Sequence, residues 1–399
     1  MKTLRNAFLL TLVFGAAAAH AEESKWQMIS KEAISLYDKG QYDQAVAAVK
    51  KSLALAEKKL GADHPNVATS LNNLAELYRD QKQFAQAEPL YKRALAIREK
   101  ALGPKHLLVA TSLNGMAELY RAEGRSAEAE PRYQRALEIR EKLLRSNHPD
   151  VAQTLNNLAE LYCNQGQYAL AKPLYERSLA IREKTLGPNH PEMATGLNNL
   201  ALIYHTESRY AQAEPFYKRA LGIYEANHGP DHPNVVTTLN NLAVVYHDQG
   251  KYAQAEPLYR RVLALREKIL GPDHSGLARN LSNLAEIYRA QGQYAQAEPL
   301  YERSLAILEK TAATDYAGMA ASLNNLALIY HTRGEYAQAE PFYKRALGAF
   351  EKSLGPDHPN VKTSRDNLVK LYQAMELAKA DQEMDQPDQR VTLSRAGQQ

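Results

Sequence analysis

The side chains in this sequence that most resemble a metal-binding set are histidines that recur at a fixed spacing. Seven of them stand 42 residues apart, or twice that, at His64, His106, His148, His190, His232, His274 and His358. Imidazole nitrogen is a common zinc ligand, but it must lie about 2.0–2.1 Å from the ion. Packed helices lie about 8–10 Å apart, so histidines of neighbouring units are too distant to share an ion. Because most of them precede proline, we interpret them as helix-start residues and predict no metal site and no cofactor.

Other catalytic chemistry finds no support in the residue pattern. The sequence has no glycine-rich phosphate loop, no His-Glu-x-x-His motif and no nucleophile elbow. Its carboxylates are scattered without a convergent cluster. A single cysteine, Cys163, excludes an internal disulfide, and we interpret it as a harmless substitution, with a thiol bond to a partner as the alternative. The pattern therefore predicts a protein that is not an enzyme.

The histidines belong to a 42-residue unit that returns from His64 to His358 without insertion or deletion, with Tyr316 in the place of one histidine. Each unit carries two apolar stripes at helical spacing, separated by a short break. In the clearest copy these stripes are Leu71, Leu74, Ala75 and Tyr78, followed by Phe84, Ala87, Tyr91, Ala94 and Leu95. A fixed period of this length predicts a stacked solenoid in which each unit buries its apolar face against its neighbours.

The apolar spacing and the small residues Ala75, Ala87 and Ala94 match the tetratricopeptide helix pair. With Leu-Asn-Asn-Leu-Ala in the first helix, the 42-residue unit resembles the repeats of the kinesin light chains, over about Asp63 to Tyr372. The heptad coiled coil of that family has no counterpart here. The resemblance implies an all-α, right-handed superhelical solenoid of stacked antiparallel helix pairs, with a concave groove that binds peptides.

The frame divides the chain into five segments. We predict a signal peptide over 1–21, a degenerate N-terminal capping repeat over 22–62, seven 42-residue repeats over 63–357, a C-terminal capping helix over 358–380 and a disordered tail over 381–399. Lys2 and Arg5, a short apolar stretch and the small residues Ala19 and Ala21 form the leader pattern. We therefore expect an exported protein, in a bacterial periplasm, that begins at Glu22.

Two asparagine columns lie on the face of the first helix that points away from the predicted core. The first contains Asn72, Asn114, Asn156, Asn198, Asn240 and Asn324, and the second contains Asn73, Asn157, Asn199, Asn241, Asn283 and Asn325. Asparagine costs roughly 0.6 kcal/mol relative to alanine within a helix. A carboxamide both donates and accepts, so it can pair with the backbone of an extended peptide. Peptide binding is our favoured interpretation; bridging between adjacent repeats and a merely solvated surface are the alternatives.

The neighbouring columns of that face vary from repeat to repeat. Some repeats have a glutamate and an arginine three residues apart, such as Glu76 and Arg79, which can neutralise each other within one helix. Three repeats instead have an apolar residue and a histidine, at Leu202 and His205, Val244 and His247, and Leu328 and His331. We predict that these six residues contact partner side chains, with incidental drift between repeat subtypes as the alternative.

The charge balance bears on the class of partner. A formal net charge of +4 over 399 residues is too small to make nucleic acid the main ligand. We interpret the charged runs, such as Lys92 to Lys100, as a solvated face with local ion pairs. We therefore predict a scaffold that binds an extended peptide segment or terminus of another protein in its groove, with no membrane span. The alternative is an assembly or docking scaffold that uses its convex face or its ends.

Overall fold

The computed structural model describes residues 17–311 and 315–384. Within these residues the chain forms seventeen α-helices and one short 3₁₀ turn, and no strand. An all-α fold of consecutive helix pairs is therefore confirmed. The predicted leader lies largely outside the described residues, as does most of the predicted tail. Among the described residues, no helix combines the length and the apolar character needed to cross a membrane.

The described residues form two compact units, which divide between Ile203 and Tyr204. The helices that begin in the first unit are α1 (Ala17–Asp38), α2 (Tyr42–Leu60), α3 (Pro65–Asp80), α4 (Phe84–Leu102), α5 (Leu107–Ala122), α6 (Ser126–Leu143), α7 (Pro149–Asn164), α8 (Tyr168–Leu186) and α9 (Pro191–Thr206). Those of the second unit are α10 (Tyr210–His228), α11 (Pro233–Asp248), α12 (Tyr252–Leu270), the 3₁₀ turn Ser275–Leu277, α13 (Ala278–Ala290), α14 (Tyr294–Lys310), α15 (Tyr316–Thr332), α16 (Tyr336–Leu354) and α17 (Pro359–Met384).

The two helices of each repeat pack through small side chains. Ala75 of α3 and Ala87 and Ala94 of α4 are fully buried, as predicted for positions where two helices approach closely. Tyr91, also fully buried, fills the space beside them. Burial of such apolar side chains supplies the main stabilising free energy, at roughly 25 cal/mol per Å².

The recurring histidines cap the helical segments that follow them, which for His274 is the 3₁₀ turn Ser275–Leu277 and for the others a first α-helix. In each of the seven, Nδ1 accepts a hydrogen bond of 3.0–3.3 Å from the backbone N–H two residues later. This bond satisfies one of the amide groups that a helix start leaves unpaired. In the unit where Tyr316 stands in place of the histidine, Asp315 accepts from the N–H of Gly318 at 2.9 Å. The predicted helix-start role of the histidines is confirmed.

Second helices commonly end at glycine. After α4, Gly103 adopts φ +83°, a left-handed conformation that strains other residues. Its N–H donates to the carbonyl of Glu99, which closes the last turn of the helix.

A tyrosine–glutamate hydrogen bond joins consecutive repeats. The Tyr120 hydroxyl of α5 donates to Glu88 of α4 at 2.9 Å, and Tyr330 of α15 donates to Glu298 of α14 at 2.8 Å. The same bond, between residues 32 apart, recurs at Tyr162, Tyr246, Tyr288 and Tyr372. The bond links the first helix of one repeat to the second helix of the preceding repeat.

The interpretation of the charged run in α4 as a solvated face is wrong for Arg98. Arg98 is 1% exposed, and its guanidinium donates to the carbonyl of Leu108 at 2.9 Å and to the Ser112 hydroxyl at 2.8 Å, both in the next repeat. Burial lowers the pKa of Arg98 to about 10. Glu99, Arg93 and Lys100 stay accessible to solvent, but each pairs with a neighbouring repeat, through Arg135 at 2.7 Å, Glu57 at 2.7 Å and Asp63 at 2.5 Å. The stacking of repeats therefore buries a charge, that of Arg98, which the local sequence pattern places in solvent.

Candidate functional site

The candidate site is the face of the first helices that carries the asparagine columns. In the first unit, Asn72 and Asn114 are buried and donate along their own helices to Glu76 at 3.0 Å and Glu118 at 2.8 Å. Burial raises the pKa of Glu76 to about 7, against the opposing effect of Arg79. The amide oxygens of both asparagines lack a hydrogen-bond partner among the described residues.

The remaining first-column asparagines differ in their surroundings. Asn156 of α7 is 7% exposed, and its amide oxygen is also unpaired among the described residues. Asn240 of α11 and Asn324 of α15 are half-buried, and each accepts from a later repeat: Asn280 donates to Asn240 at 3.4 Å and Asn367 donates to Asn324 at 3.0 Å. Asn198 lies on α9 and is half-buried.

Asparagines of the second column join repeats. Asn157 of α7 donates to Glu118 of α5 at 2.7 Å, and Asn199 of α9 donates to the Tyr175 hydroxyl of α8 at 3.0 Å. In the second unit, Asn325 of α15 donates to the Tyr301 hydroxyl of α14 at 3.2 Å. The bridging interpretation therefore accounts for these three amides. Asn73 is buried on α3, whereas Asn241 of α11 and Asn283 of α13 are half-buried.

Glycine replaces asparagine once in this column, at Gly115 of α5. A Cβ at that position would lie 2.8 Å from Cε1 of Tyr91, a contact that packed atoms do not make. The absent side chain lets the Tyr91 ring pack against the backbone of α5. No partner for the Tyr91 hydroxyl is found among the described residues, whereas Asn199 supplies one to Tyr175.

The glutamates and arginines of this face pair mostly across repeats in the first unit. Arg79 of α3 donates to Glu118 of α5 at 2.6 Å, and Arg121 of α5 donates to Glu160 of α7 at 2.9 Å. The pairing expected within one helix occurs in the second unit, where Arg289 donates to Glu286 at 2.5 and 2.8 Å. The charges of these repeats are thus largely satisfied by the chain itself.

Two of the predicted histidines share one carboxylate. His205 lies 2.8 Å from one oxygen of Asp248, and His247 lies 3.0 Å from the other. Burial acts to raise the pKa of Asp248, but its hydrogen bonds with His205 and His247 outweigh burial and lower it. The structure therefore brings these two histidines together, through a residue that the sequence pattern did not single out.

The third histidine has different neighbours. His331 packs against the rings of Tyr336 and Tyr343, with centroids 5.6 and 6.2 Å away. Burial, and then the nearby charge of Lys370, lower the pKa of His331. Proximity to a lysine rather than to a carboxylate distinguishes this histidine from His205 and His247.

The predicted apolar positions are accessible. Leu202, on the part of α9 that belongs to the first unit, is 39% exposed. Val244 and Leu328, in the second unit, are half-buried. An exposed leucine beside carboxamides gives this face a mixed apolar and polar character.

Among the described residues, no group of three or more histidine, cysteine, aspartate and glutamate side chains is arranged to hold a metal ion. Cys163 is half-buried, and burial raises the pKa of its thiol, which makes the reactive thiolate scarcer.

Comparison with known proteins places these features in a family. A family model described as tetratricopeptide repeat matches residues 27–100, 71–142, 150–226, 192–268, 234–310 and 318–382. No curated protein matches the chain at a significant level.

Similar solved structures include kinesin light chain-like repeat proteins. BtubC (BKLC) from P. vanneervenii is 26% identical, with a TM-score of 0.50, over 58% of this chain and 92% of that chain. A Podosopora anserina kinesin light chain with nearly identical TPR-like repeats is 28% identical, with a TM-score of 0.45, over 52% of this chain and 98% of that chain. The apo form of RapI is similar in fold alone, at 13% identity and a TM-score of 0.58, over 88% of this chain and 98% of that chain. Since the family model matches most of its length, the chain belongs to the tetratricopeptide repeat family.

Proposed function

We propose that this protein is a non-enzymatic scaffold that binds an extended segment of another protein along the first-helix face. The tetratricopeptide repeat fold supports a protein-interaction scaffold in general. The observation that carries the finer proposal is the exposure of Leu202 on a face that other repeats fill with paired charges. In the second unit, Val244 and Leu328 occupy the same position of their repeats and are half-buried.

Carboxamides beside these apolar residues supply the polar part of the proposed site. Asn240 and Asn324 are half-buried, so each retains some access to solvent. Each amide offers two N–H donors and an oxygen with two lone pairs, and the bonds within the chain use only part of that capacity. A peptide backbone needs both a donor and an acceptor, so these side chains suit it. The apolar residues would then discriminate among the side chains of the bound peptide.

The test is a triple variant, Leu202→Glu, Val244→Glu and Leu328→Glu. Glutamate stands at the same frame position in Glu76, Glu118 and Glu286, so the fold tolerates it there. We expect the variant to keep the wild-type circular dichroism spectrum and to lose binding to peptides that the wild type selects from a random decapeptide pool. Unchanged peptide binding by the triple variant would refute the proposal.

The end of the solenoid is a second candidate surface. Val369 of α17 is 53% exposed, whereas the residue 42 positions earlier, Ala327, is fully buried. No second helix follows α17 among the described residues to cover this position. A docking scaffold that works through this end would lose its partner on Val369→Glu and would keep it in the triple variant.

We further propose that the protein is exported and that residues 1–21 are removed. The support is the sequence pattern of a charged start, an apolar stretch and small residues before Glu22. N-terminal sequencing of the protein from a periplasmic fraction tests this directly. A mature chain that begins at Met1 would refute it.

A further inference from the structure

Glu118 of α5 shows how a glutamate at this position of the repeat is held by the repeats on either side. It accepts from Arg79 of the preceding repeat at 2.6 Å and from Asn157 of the following repeat at 2.7 Å. Asn114, on the same helix, adds a third donor at 2.8 Å. Both carboxylate oxygens of Glu118 are therefore hydrogen-bonded, which compensates for the water that they lose on burial.

Glu76 of α3 occupies the same position one repeat earlier and lacks both of the donors from neighbouring repeats. At the frame position of the arginine, Tyr37 of α1 stands instead, and its hydroxyl donates to Asp80 at 2.5 Å. At the frame position of the asparagine, Gly115 of α5 has no side chain that could donate. Two separate replacements, one on each side, thus remove the donors that this glutamate position otherwise receives.

The carboxyl group of Glu76 is enclosed with only part of its hydrogen-bonding capacity used. Glu76 is 4% exposed, and its Oε1 accepts from Asn72 at 3.0 Å. Its Oε2 has no hydrogen-bond partner within the described ranges of the chain. Burial, the largest effect, raises the pKa of Glu76 to about 7. An ionised carboxylate without water needs donors on both oxygens, so these surroundings favour the neutral acid.

The two guanidinium groups near Glu76 are engaged elsewhere. Arg79, on the same helix, donates to Asp80 at 2.8 Å and to Glu118 at 2.6 Å. Arg98 of α4 directs its two terminal nitrogens to a backbone carbonyl and two hydroxyls of α3 and α5. Their positive charges therefore oppose the effect of burial on the pKa of Glu76 without outweighing it.

The other charged and titratable groups around this site do not stabilise the ionised form. The negative charges of Glu118 and Asp80 act to raise the pKa of Glu76 further. Tyr91 of α4 is fully buried, and burial raises the pKa of its hydroxyl well above the ordinary value, so it carries no charge. Lys50 of α2 lies over a tyrosine ring of α3, with its ammonium 5.7 Å from the ring centre.

We propose that Glu76 is a proton-operated switch at the junction of α3 and α5, which is neutral while the first repeats are tightly packed. As pH rises through neutrality, ionisation of Glu76 places an incompletely paired charge between these helices. The packed form then competes less well with a locally opened form, in which water reaches the carboxylate. This inference is independent of peptide binding, since it concerns the stability of the first repeats.

The direction of the pH dependence follows from the two pKa values of Glu76. The pKa of glutamate in an unfolded chain is about 4.3, whereas that of Glu76 in the folded protein is about 7. Because the folded value is higher, the stability that the neutral acid provides is fully present below about pH 4.3, falls as pH rises towards 7 and then stays constant. Between pH 5.5 and pH 8, this residue alone should raise the unfolding equilibrium constant about tenfold or more.

Trp26 of α1 supplies a local reporter for the test. It is the single tryptophan of the sequence, it is 3% exposed, and its Nε1 donates to the Ser70 hydroxyl of α3 at 2.9 Å. Its fluorescence during urea unfolding of the full chain therefore follows the junction of α1 with α3. We expect the unfolding constant of the wild type, relative to Glu76→Gln, to rise about tenfold from pH 5.5 to pH 8, because glutamine does not titrate.

Two further variants make the test specific. Glu286→Gln is the matched control, because Glu286 holds the same position in a later repeat, where Arg289, Tyr301 and Asn325 donate to it. It should keep the wild-type pH dependence of the Trp26 signal. Tyr37→Arg supplies the missing donor at the frame position from which other arginines reach the next glutamate, and it should abolish the pH dependence while keeping the carboxylate.

Either variant of the junction can overturn the inference. An equal change with pH in the wild type and in Glu76→Gln would show that Glu76 does not bind the proton in question. A folded Tyr37→Arg protein with the wild-type pH dependence would show that the missing donor is not the cause. If Tyr37→Arg fails to fold, the comparison of the wild type with Glu76→Gln decides alone.

Discussion

Replacement of His232 tests how the recurring histidines start each repeat. Its Nδ1 accepts the N–H of Asn234 at 3.1 Å, and Pro233 follows as the first residue of α11. His232→Ala removes the acceptor and leaves an amide of the first turn to water. Loss of an N-cap costs about 1 kcal/mol, so we expect His232→Ala to lower the free energy of unfolding by that amount at pH 7.5. His232→Asn keeps a side-chain acceptor and should stay close to the wild type.

His232 also leads us to predict how the stability of the protein depends on pH. Burial, and then the charge of His228, lower the pKa of His232 in the folded protein. The ordinary pKa of histidine is about 6.5, so as pH falls below that value His232 takes up a proton in the unfolded chain before it does so in the folded chain. The wild type should therefore lose stability from about pH 6.5 down to the lower folded pKa. Asparagine at position 232 does not titrate, so the stability of His232→Asn relative to the wild type should increase as pH falls from 7.5 to 5.5.

Urea unfolding followed by circular dichroism at both pH values measures these differences. Because repeat arrays can unfold in parts, hydrogen exchange of the Val235 amide in α11 supplies a local measurement. The reasoning would be refuted if His232→Ala matched His232→Asn at pH 7.5. A stability difference between His232→Asn and the wild type that did not change with pH would refute the assigned pKa direction.

Three further substitutions test the contacts between and within repeats. Tyr330→Phe removes the hydrogen bond to Glu298 and should cost about 1 kcal/mol in urea unfolding, whereas an equally stable variant would mean that the bond contributes nothing. Arg140→Ala removes two hydrogen bonds from a charged donor, to the Asp150 carbonyl and the Thr154 hydroxyl, and should cost about 1.5–3 kcal/mol by the same assay. Gly115→Asn overpacks the Tyr91 ring and should lower the free energy of unfolding by about 1–3 kcal/mol. Gly222→Ala is the control, because open space surrounds Gly222, and it should raise the free energy of unfolding by about 1 kcal/mol. A Gly115→Asn protein as stable as the wild type would contradict the packing.

The fold could be predicted from the sequence because its period is strict. Each unit repeats its apolar spacing and its small residues without insertion, so the burial of Ala75, Ala87 and Ala94 follows from one copy. The histidine before proline marks a helix start in the same way. The buried position of Arg98 could not be predicted from α4 alone, because the groups that bind it belong to the next repeat.

The sequence predicts that the asparagines share one face of the first helices, but it does not predict that Asn72, Asn114 and Asn156 are buried there. Helical spacing places Asn157 and Asn325 on one face, but their partners lie 39 residues earlier, on a neighbouring helix. The residue pattern of a single helix does not indicate this sequence separation of 39 residues. A search for residue pairs at one constant separation would have found the bond from Tyr120 to Glu88, which recurs at a separation of 32. The pairing of Asp248 with two histidines has no such repeated signal, because Asp248 occupies a variable position.

Site-specific photocrosslinking tests the central claim, peptide binding on the first-helix face, most directly. A photoreactive amino acid replaces Asn324 on that face or, as the control, Lys344, an exposed residue of α16. The probe is a decapeptide that the wild type selects. The account predicts a crosslink to the peptide from position 324 and none from position 344, with an excess of unlabelled peptide abolishing it. Crosslinking from position 344 alone, or equally from both positions, would contradict the account.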